Sequence, residues 1–177
     1  MTAASVAAFN ALPEGEALAA LQTCLHSTDW ASAVLGGRPY PDRESLLATA
    51  YRFGLALDDA GLESALSKHP RIGERPTGAS ADAEHSRREQ GGVDAADAEL
   101  TEALLAGNVA YEERFGRVFL IRAAGRSGHD ILEALHQRLT HDDESEAVVV
   151  RDQLAQIAQL RLEALLKELD HPIEEAR

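Results

Sequence analysis

The sequence predicts an all-α protein: a single compact domain over residues 1–177, built from about seven or eight helices with the longest at the C-terminus. Three observations predict it. Apolar residues recur at three- and four-residue spacing through most of the chain. Ser and Asp stand where these stripes begin, and Gly or Pro where they end. One short apolar run, VFLIRAAG at residues 118–125, has no second strand pattern to pair with, so an extended buried connector is expected there.

Short N-terminal helices are expected over residues 14–26 and around Trp30. Over residues 42–57, Leu46, Ala50, Phe53, Gly54 and Leu57 fall on one stripe, with Asp42 as N-cap behind Pro41. A second helix starts near Asp58 or Asp59 and carries Leu62, Ala65 and Leu66. It is expected to end at His69, because Pro70 disfavours the helical conformation of the residue before it. RIGERPTGAS, residues 71–80, reads as an irregular loop. A polar helix is expected over residues 80–90, stopped by Gly91 and Gly92. Asp94 with Asp97 forms an acidic variant of the capping box, opening a helix along Leu100, Leu104, Gly107 and Tyr111 that ends near Phe115 and Gly116. Ser127 with Asp130 is another, opening a helix through Ile131, Leu135 and Leu139. The last helix runs from Asp142 or Asp143 to Leu169.

A chain of 177 residues buries a sizeable core without disulfides or metals. The lone Cys24, between Leu21 and Leu25, excludes an internal disulfide and a multi-thiolate metal site, and reads as a buried helical thiol. A formal net charge of −13 argues against a nucleic-acid partner, which needs clustered Lys and Arg, but leaves room for a small anionic substrate. No segment approaches the ~20 apolar residues of a membrane span. The N-terminal MTAASVAAFNALPEG lacks a basic leader, so a cytoplasmic location is expected. There is no Gly-rich phosphate loop, nucleophile elbow or CxxC, which leaves nucleotide binding and Ser or Cys nucleophile chemistry unsupported.

A few polar residues sit badly with a purely structural role. In the last helix Val150, Leu154, Ile157, Ala158 and Leu165 share a stripe, and Arg161 lies in its middle. An inward arginine must meet a carboxylate or several carbonyls. Three readings stand side by side: a structural ion pair with a core Asp or Glu, an arginine snorkelling to the surface, or a guanidinium directed at an anionic or carbonyl-rich ligand. In the 80–90 helix Ser86, Glu89 and Gln90 share a face, which is either a solvated surface or a binding face. His85 and Glu89 have the spacing of half a metal site, yet no second His accompanies them and HExxH is absent. His69 on its own is an ordinary helix-ending histidine.

HPRIGE (residues 69–74), SRREQ (86–90), YEERFGRVFLIRAAGRS (111–127) and LRLEAL (160–165) together resemble one family. It is the 2-oxo-4-hydroxy-4-carboxy-5-ureidoimidazoline (OHCU) decarboxylases of urate degradation. The resemblance extends from Phe9, Asn10 and Trp30 to Leu166. It implies an all-helical homodimeric enzyme, free of metal and organic cofactor, that converts OHCU to (S)-allantoin and carbon dioxide. By this resemblance His69 matches the catalytic histidine and Glu89 the carboxylate working with it. Ser86 and Gln90 match polar substrate contacts, Pro70 a residue packing on the ligand, and Arg161 a pocket arginine. Phe119, Leu120 and Ile121 match an extended segment that lines the pocket and offers backbone groups. Arg122 departs from the pattern, standing where a small or thiol side chain is common. The competing class is a non-catalytic helical interaction module in which buried Arg161 is structural.

Overall fold

In a computed structural model of the chain, which describes residues 3–67, 69, 71–72 and 98–170, the described residues form helices and no strand. Their helices are α1 (Ala3–Ala11), α2 (Glu14–Cys24), α3 (Thr28–Gly36), α4 (Arg43–Leu55), α5 (Asp59–Leu66), α6 (Ala98–Phe115), α7 (Gly128–Arg138) and α8 (Asp143–Asp170). The packing forms two compact units, one of Met1–Gly61 with Ala155–Arg177, the other of Leu62–Leu154. Among the described residues no helix is long and apolar enough to cross a membrane. The expected polar helix over 80–90 and the Asp94–Asp97 capping box lie outside the described residues.

In the first unit α2 packs on α3 and α3 on α4. The Asp42 carboxylate accepts the Ser45 N–H at 2.7 Å and starts α4, as its sequence position predicts. Leu46, Ala50 and Gly54 are buried along α4, Leu57 is buried just past its end, and Phe53 is half-buried. Gly54 answers to a close approach: a Cβ there would lie 2.7 Å from the Cβ of Ala155 on α8. Trp30 is buried, and its indole N–H donates to the Ala50 carbonyl at 2.9 Å, tying α3 to α4. The sequence reading missed α1. Its alanine-rich stretch favours helix through propensity, without the capping and striping that mark the others. Arg38 closes that helix end by donating to the carbonyls of Phe9 at 3.1 Å and Leu12 at 2.9 Å. The Asn10 amide pairs with both backbone groups of Tyr40, at 2.8 and 3.0 Å.

In the second unit α6 packs on α7 over Ile72, Leu104, Tyr111, Phe119, Ile131 and Leu135. A side chain at Gly107 would collide with Leu135, so the glycine permits the approach. Gly116 has φ +66°, a left-handed conformation suited to glycine, and its N–H closes α6 onto the Glu112 carbonyl at 2.8 Å. The predicted Ser127–Asp130 capping box is present in full, with both reciprocal bonds. Residues 118–123 of the expected connector lie in neither helix nor strand, and Ala124 and Gly125 form a turn closed by the Arg126 N–H on the Ala123 carbonyl at 3.0 Å; Phe119, Leu120, Ile121 and Ala123 are buried. Helix α8, at 28 residues the longest described, carries the expected inward stripe with Leu165 half-buried at its far end.

Candidate active site

The site begins where α5 stops. The helix ends at Leu66, earlier than the expected His69. The chain winds on for one tighter turn, with Ser67 N–H on the Glu63 carbonyl at 3.0 Å and His69 N–H on the Leu66 carbonyl at 2.9 Å. The proline that follows His69 excludes helical geometry one residue earlier than itself, so the last regular turn closes before the histidine. His69 is thus carried just past a helix terminus and is half-buried.

The His69 ring folds back on that turn, with Nδ1 at 2.9 Å from the Ala65 carbonyl oxygen. A carbonyl only accepts, so Nδ1 carries the hydrogen. In the neutral ring Nε2 is therefore the basic atom, and in the charged ring it is the acid. Nε2 itself is shielded from solvent. The local fold sets the tautomer of the neutral ring.

Two side chains one turn apart on α6 hold the next residues. Arg71 forms a two-pronged ion pair with Glu112, Nε to Oε1 at 2.5 Å and NH2 to Oε2 at 2.6 Å. The hydrogen bond from Arg71, reinforced by its charge, holds the Glu112 carboxyl below its ordinary range. Asn108 donates to the Ile72 carbonyl at 2.9 Å. Ile72 is buried in the same cluster as Phe119 and Ile121, which brings the histidine segment and the 118–123 connector onto one core. A cleft of about 460 Å³ opens between the last turn of α5 (Glu63, Leu66, Ser67) and the end of α6 (Glu112, Gly116, Arg117). None of His69, Phe119, Leu120 or Ile121 lines it.

The connector is gripped through its backbone. Arg138 NH1 donates to the Leu120 carbonyl at 2.6 Å, and the Arg122 N–H donates to Gln153 Oε1 at 3.0 Å. Arg122, the departure from the family pattern, is half-buried between the buried Ile121 and Ala123. Arg138 is only 5% exposed and Glu146 1%. The guanidinium donates from Nε at 2.8 Å and NH2 at 2.5 Å to Glu146 Oε1, and from NH2 to the Tyr111 hydroxyl at 3.3 Å. The Tyr111 hydroxyl also donates to Glu146 Oε1, and His141 Nδ1 donates to Oε2 at 2.9 Å. Burial, reinforced by the bond to Glu146, pushes the Tyr111 phenol well above its ordinary range, so it stays a donor. The guanidinium also lies 4.7 Å from the Phe119 ring centroid, so the network holds the connector by side chain and by backbone.

Arg161 is 4% exposed on the inward stripe of α8, as helical periodicity predicts. In its own unit its charge acts on Cys24, whose thiol is nonetheless pushed up to about 12 by burial. That matches the inert buried thiol expected from Leu21 and Leu25. Pro70, Ser86, Glu89, Gln90 and the His85–Glu89 pair lie outside the described residues.

Sequence reasoning missed Arg138, Glu146, Gln153 and Asn108. The signal was available. Arg138 continues the Ile131–Leu135 stripe, Glu146 precedes Val150 by four residues, and Asn108 follows Leu104 by four. The criterion that singled out Arg161 selects all three of these, but charges near helix ends also read as dipole partners.

The OHCU decarboxylase family model matches residues 10–163. A protein of Amia calva named 2-oxo-4-hydroxy-4-carboxy-5-ureidoimidazoline decarboxylase is 32% identical over 142 residues, covering 77% of this chain and 79% of that one. A Mus musculus protein of the same name is 31% identical over 143 residues, covering 80% of each. A crystal structure of OHCU decarboxylase in the presence of (S)-allantoin superposes with a TM-score of 0.68 at 22% identity, over 82% of this chain and 96% of that one. At that identity the likeness establishes the fold.

Proposed function

Because this chain belongs to the OHCU decarboxylase family, we propose that it decarboxylates OHCU to (S)-allantoin and carbon dioxide, with His69 exchanging the proton. The observation that carries the role of His69 is its Nδ1 contact with the Ala65 carbonyl, which leaves Nε2 as the atom that takes or gives a proton.

The chemistry follows from the substrate. Ring carbon C4 bears a hydroxyl and a carboxylate and neighbours the C5=N bond of the imidazoline. Breaking the C4–carboxylate bond releases carbon dioxide and sends the electron pair into C5=N, leaving an enol at C4 and a protonated ring nitrogen. Collapse of the enol to a carbonyl places a proton on C5, the ureido-bearing carbon, and the net reaction consumes one proton. Delivery to a single face sets the configuration of allantoin. Nε2 of His69 handles that proton. Glu89 orients the imidazole and favours its charged form. Arg161, Ser86 and Gln90 hold the carboxylate, ureido and ring carbonyl groups, and Pro70 packs on the ring. Each donor aimed at developing charge is worth roughly 3–4 kcal/mol of barrier. Phe119, Leu120 and Ile121 wall the ligand and present backbone groups to it. The protein acts as a cytoplasmic homodimer, with sedimentation as the test of the assembly.

The deciding experiment follows freshly generated OHCU by circular dichroism. Optically active allantoin should appear faster with the protein than without it. A racemic product forming at the uncatalysed rate rejects the proposal.

A further inference from the structure

The peptide on each side of Ile121 is held at one atom by a side chain from elsewhere in its unit. Arg138 NH1 holds the Leu120 carbonyl at 2.6 Å, and Gln153 Oε1 holds the Arg122 N–H at 3.0 Å. A peptide is planar and trans, so its N–H points opposite to its C=O. Gripping the Leu120 carbonyl therefore sets the direction of the Ile121 N–H, and gripping the Arg122 N–H sets the direction of the Ile121 C=O. Neither Ile121 group is consumed by a hydrogen bond to another described residue. A helix or sheet would aim these groups through its own ladder, but this segment belongs to neither.

The grip is built to be stiff. Arg138 spans the Leu120 carbonyl, the Glu146 carboxylate and the Tyr111 hydroxyl at once, which needs the forked donors of a guanidinium. Gln153 is buried, and its amide N–H donates to Asp152 Oδ2 at 3.1 Å, which turns Oε1 toward Arg122.

We propose that Arg138 and Gln153 are positioning residues that set the two peptide planes flanking Ile121 and so aim its N–H and C=O at the substrate. This rests on the reading that the 119–121 segment contacts OHCU. The Ile121 pair offers one donor and one acceptor side by side, the complement of a ureido or ring amide edge, and therefore contributes to binding before and during the reaction alike. Interactions of that kind act on KM more than on kcat.

The test uses Gln153→Met, which keeps the size of the side chain and removes the acceptor, with Arg138→Lys as a second variant. Steady-state turnover of fresh OHCU and the Kd for (S)-allantoin by calorimetry are measured for each. For Gln153→Met, KM and the allantoin Kd should each rise roughly tenfold, as expected for one lost ligand contact. The kcat should change less than about threefold, and the pH profile set by His69 should stay in place. Asp42→Ala, which loosens the first unit at the α4 cap, should leave KM alone. Unchanged KM and Kd in Gln153→Met, or an equal rise in Asp42→Ala, overturns the clamp while the decarboxylase reading stands. Absence of turnover in the wild-type protein overturns that reading, and this inference with it. If Arg138→Lys does not fold, Gln153→Met decides.

Discussion

Replacing Glu146 with leucine probes the network that holds the candidate site. Glu146 is 1% exposed, and its two oxygens accept from Arg138 twice, from Tyr111 and from His141. In Glu146→Leu the Arg138 guanidinium keeps the Leu120 carbonyl and the Tyr111 hydroxyl but loses its countercharge inside the protein. Removing one partner of a buried pair costs about 3–5 kcal/mol, because the remaining charge stays desolvated. For a chain of this length, each kcal/mol moves Tm by about 2–4 °C, so the midpoint should fall by about 6–20 °C. Thermal unfolding followed by far-UV circular dichroism at neutral pH measures the midpoint, and urea unfolding measures the loss of free energy. The double variant Arg138→Met with Glu146→Leu removes both charges and should recover much of the loss. A single Glu146→Leu protein within about 1 kcal/mol of wild type would refute the reasoning, since it would mean that Arg138 finds water or another anion.

Three further expectations are open to direct measurement. His69→Asn should abolish allantoin formation with the helical spectrum intact, and wild-type-like turnover in the folded variant rejects the role of His69. Gly54→Ala gains about 1 kcal/mol of helix propensity but sets a methyl 2.7 Å from the Ala155 Cβ and 3.1 Å from its Cα. Overpacking of about 1–3 kcal/mol should prevail, and a more stable variant in urea would show the helices part freely. Hydrogen bonds from Ser45, Ser127 and Ser145 lower the carboxyls of Asp42, Asp130 and Asp142 in the folded chain. The unfolded chain binds protons first, so this stability is complete above the ordinary carboxylate pKa of about 4 and is lost as pH falls through the lower folded values. Asp42→Asn accepts similar cap bonds without titrating, so the Tm gap to wild type should narrow on acidification, and a constant gap from neutral to acid pH counts against the linkage.

The sequence by itself determined the helical class, most helix starts and the inward face of α8. These are local: a cap forms from residues three apart, as Ser127 and Asp130 do, and a stripe such as Val150, Leu154, Ile157 and Arg161 follows from the helical repeat alone. The proline after His69 also placed a helix end there, although α5 closes a turn earlier, and only the family resemblance singled that histidine out. The tertiary structure decided the rest, because those facts depend on partners far apart in sequence. Arg71 meets Glu112 across 41 residues, Asn108 meets Ile72 across 36, and Arg138 meets Leu120 across 18. No periodicity specifies such pairings, since a buried polar group states only that a partner is required. The fold chooses the partner, and with it the direction of the Ile121 peptide groups.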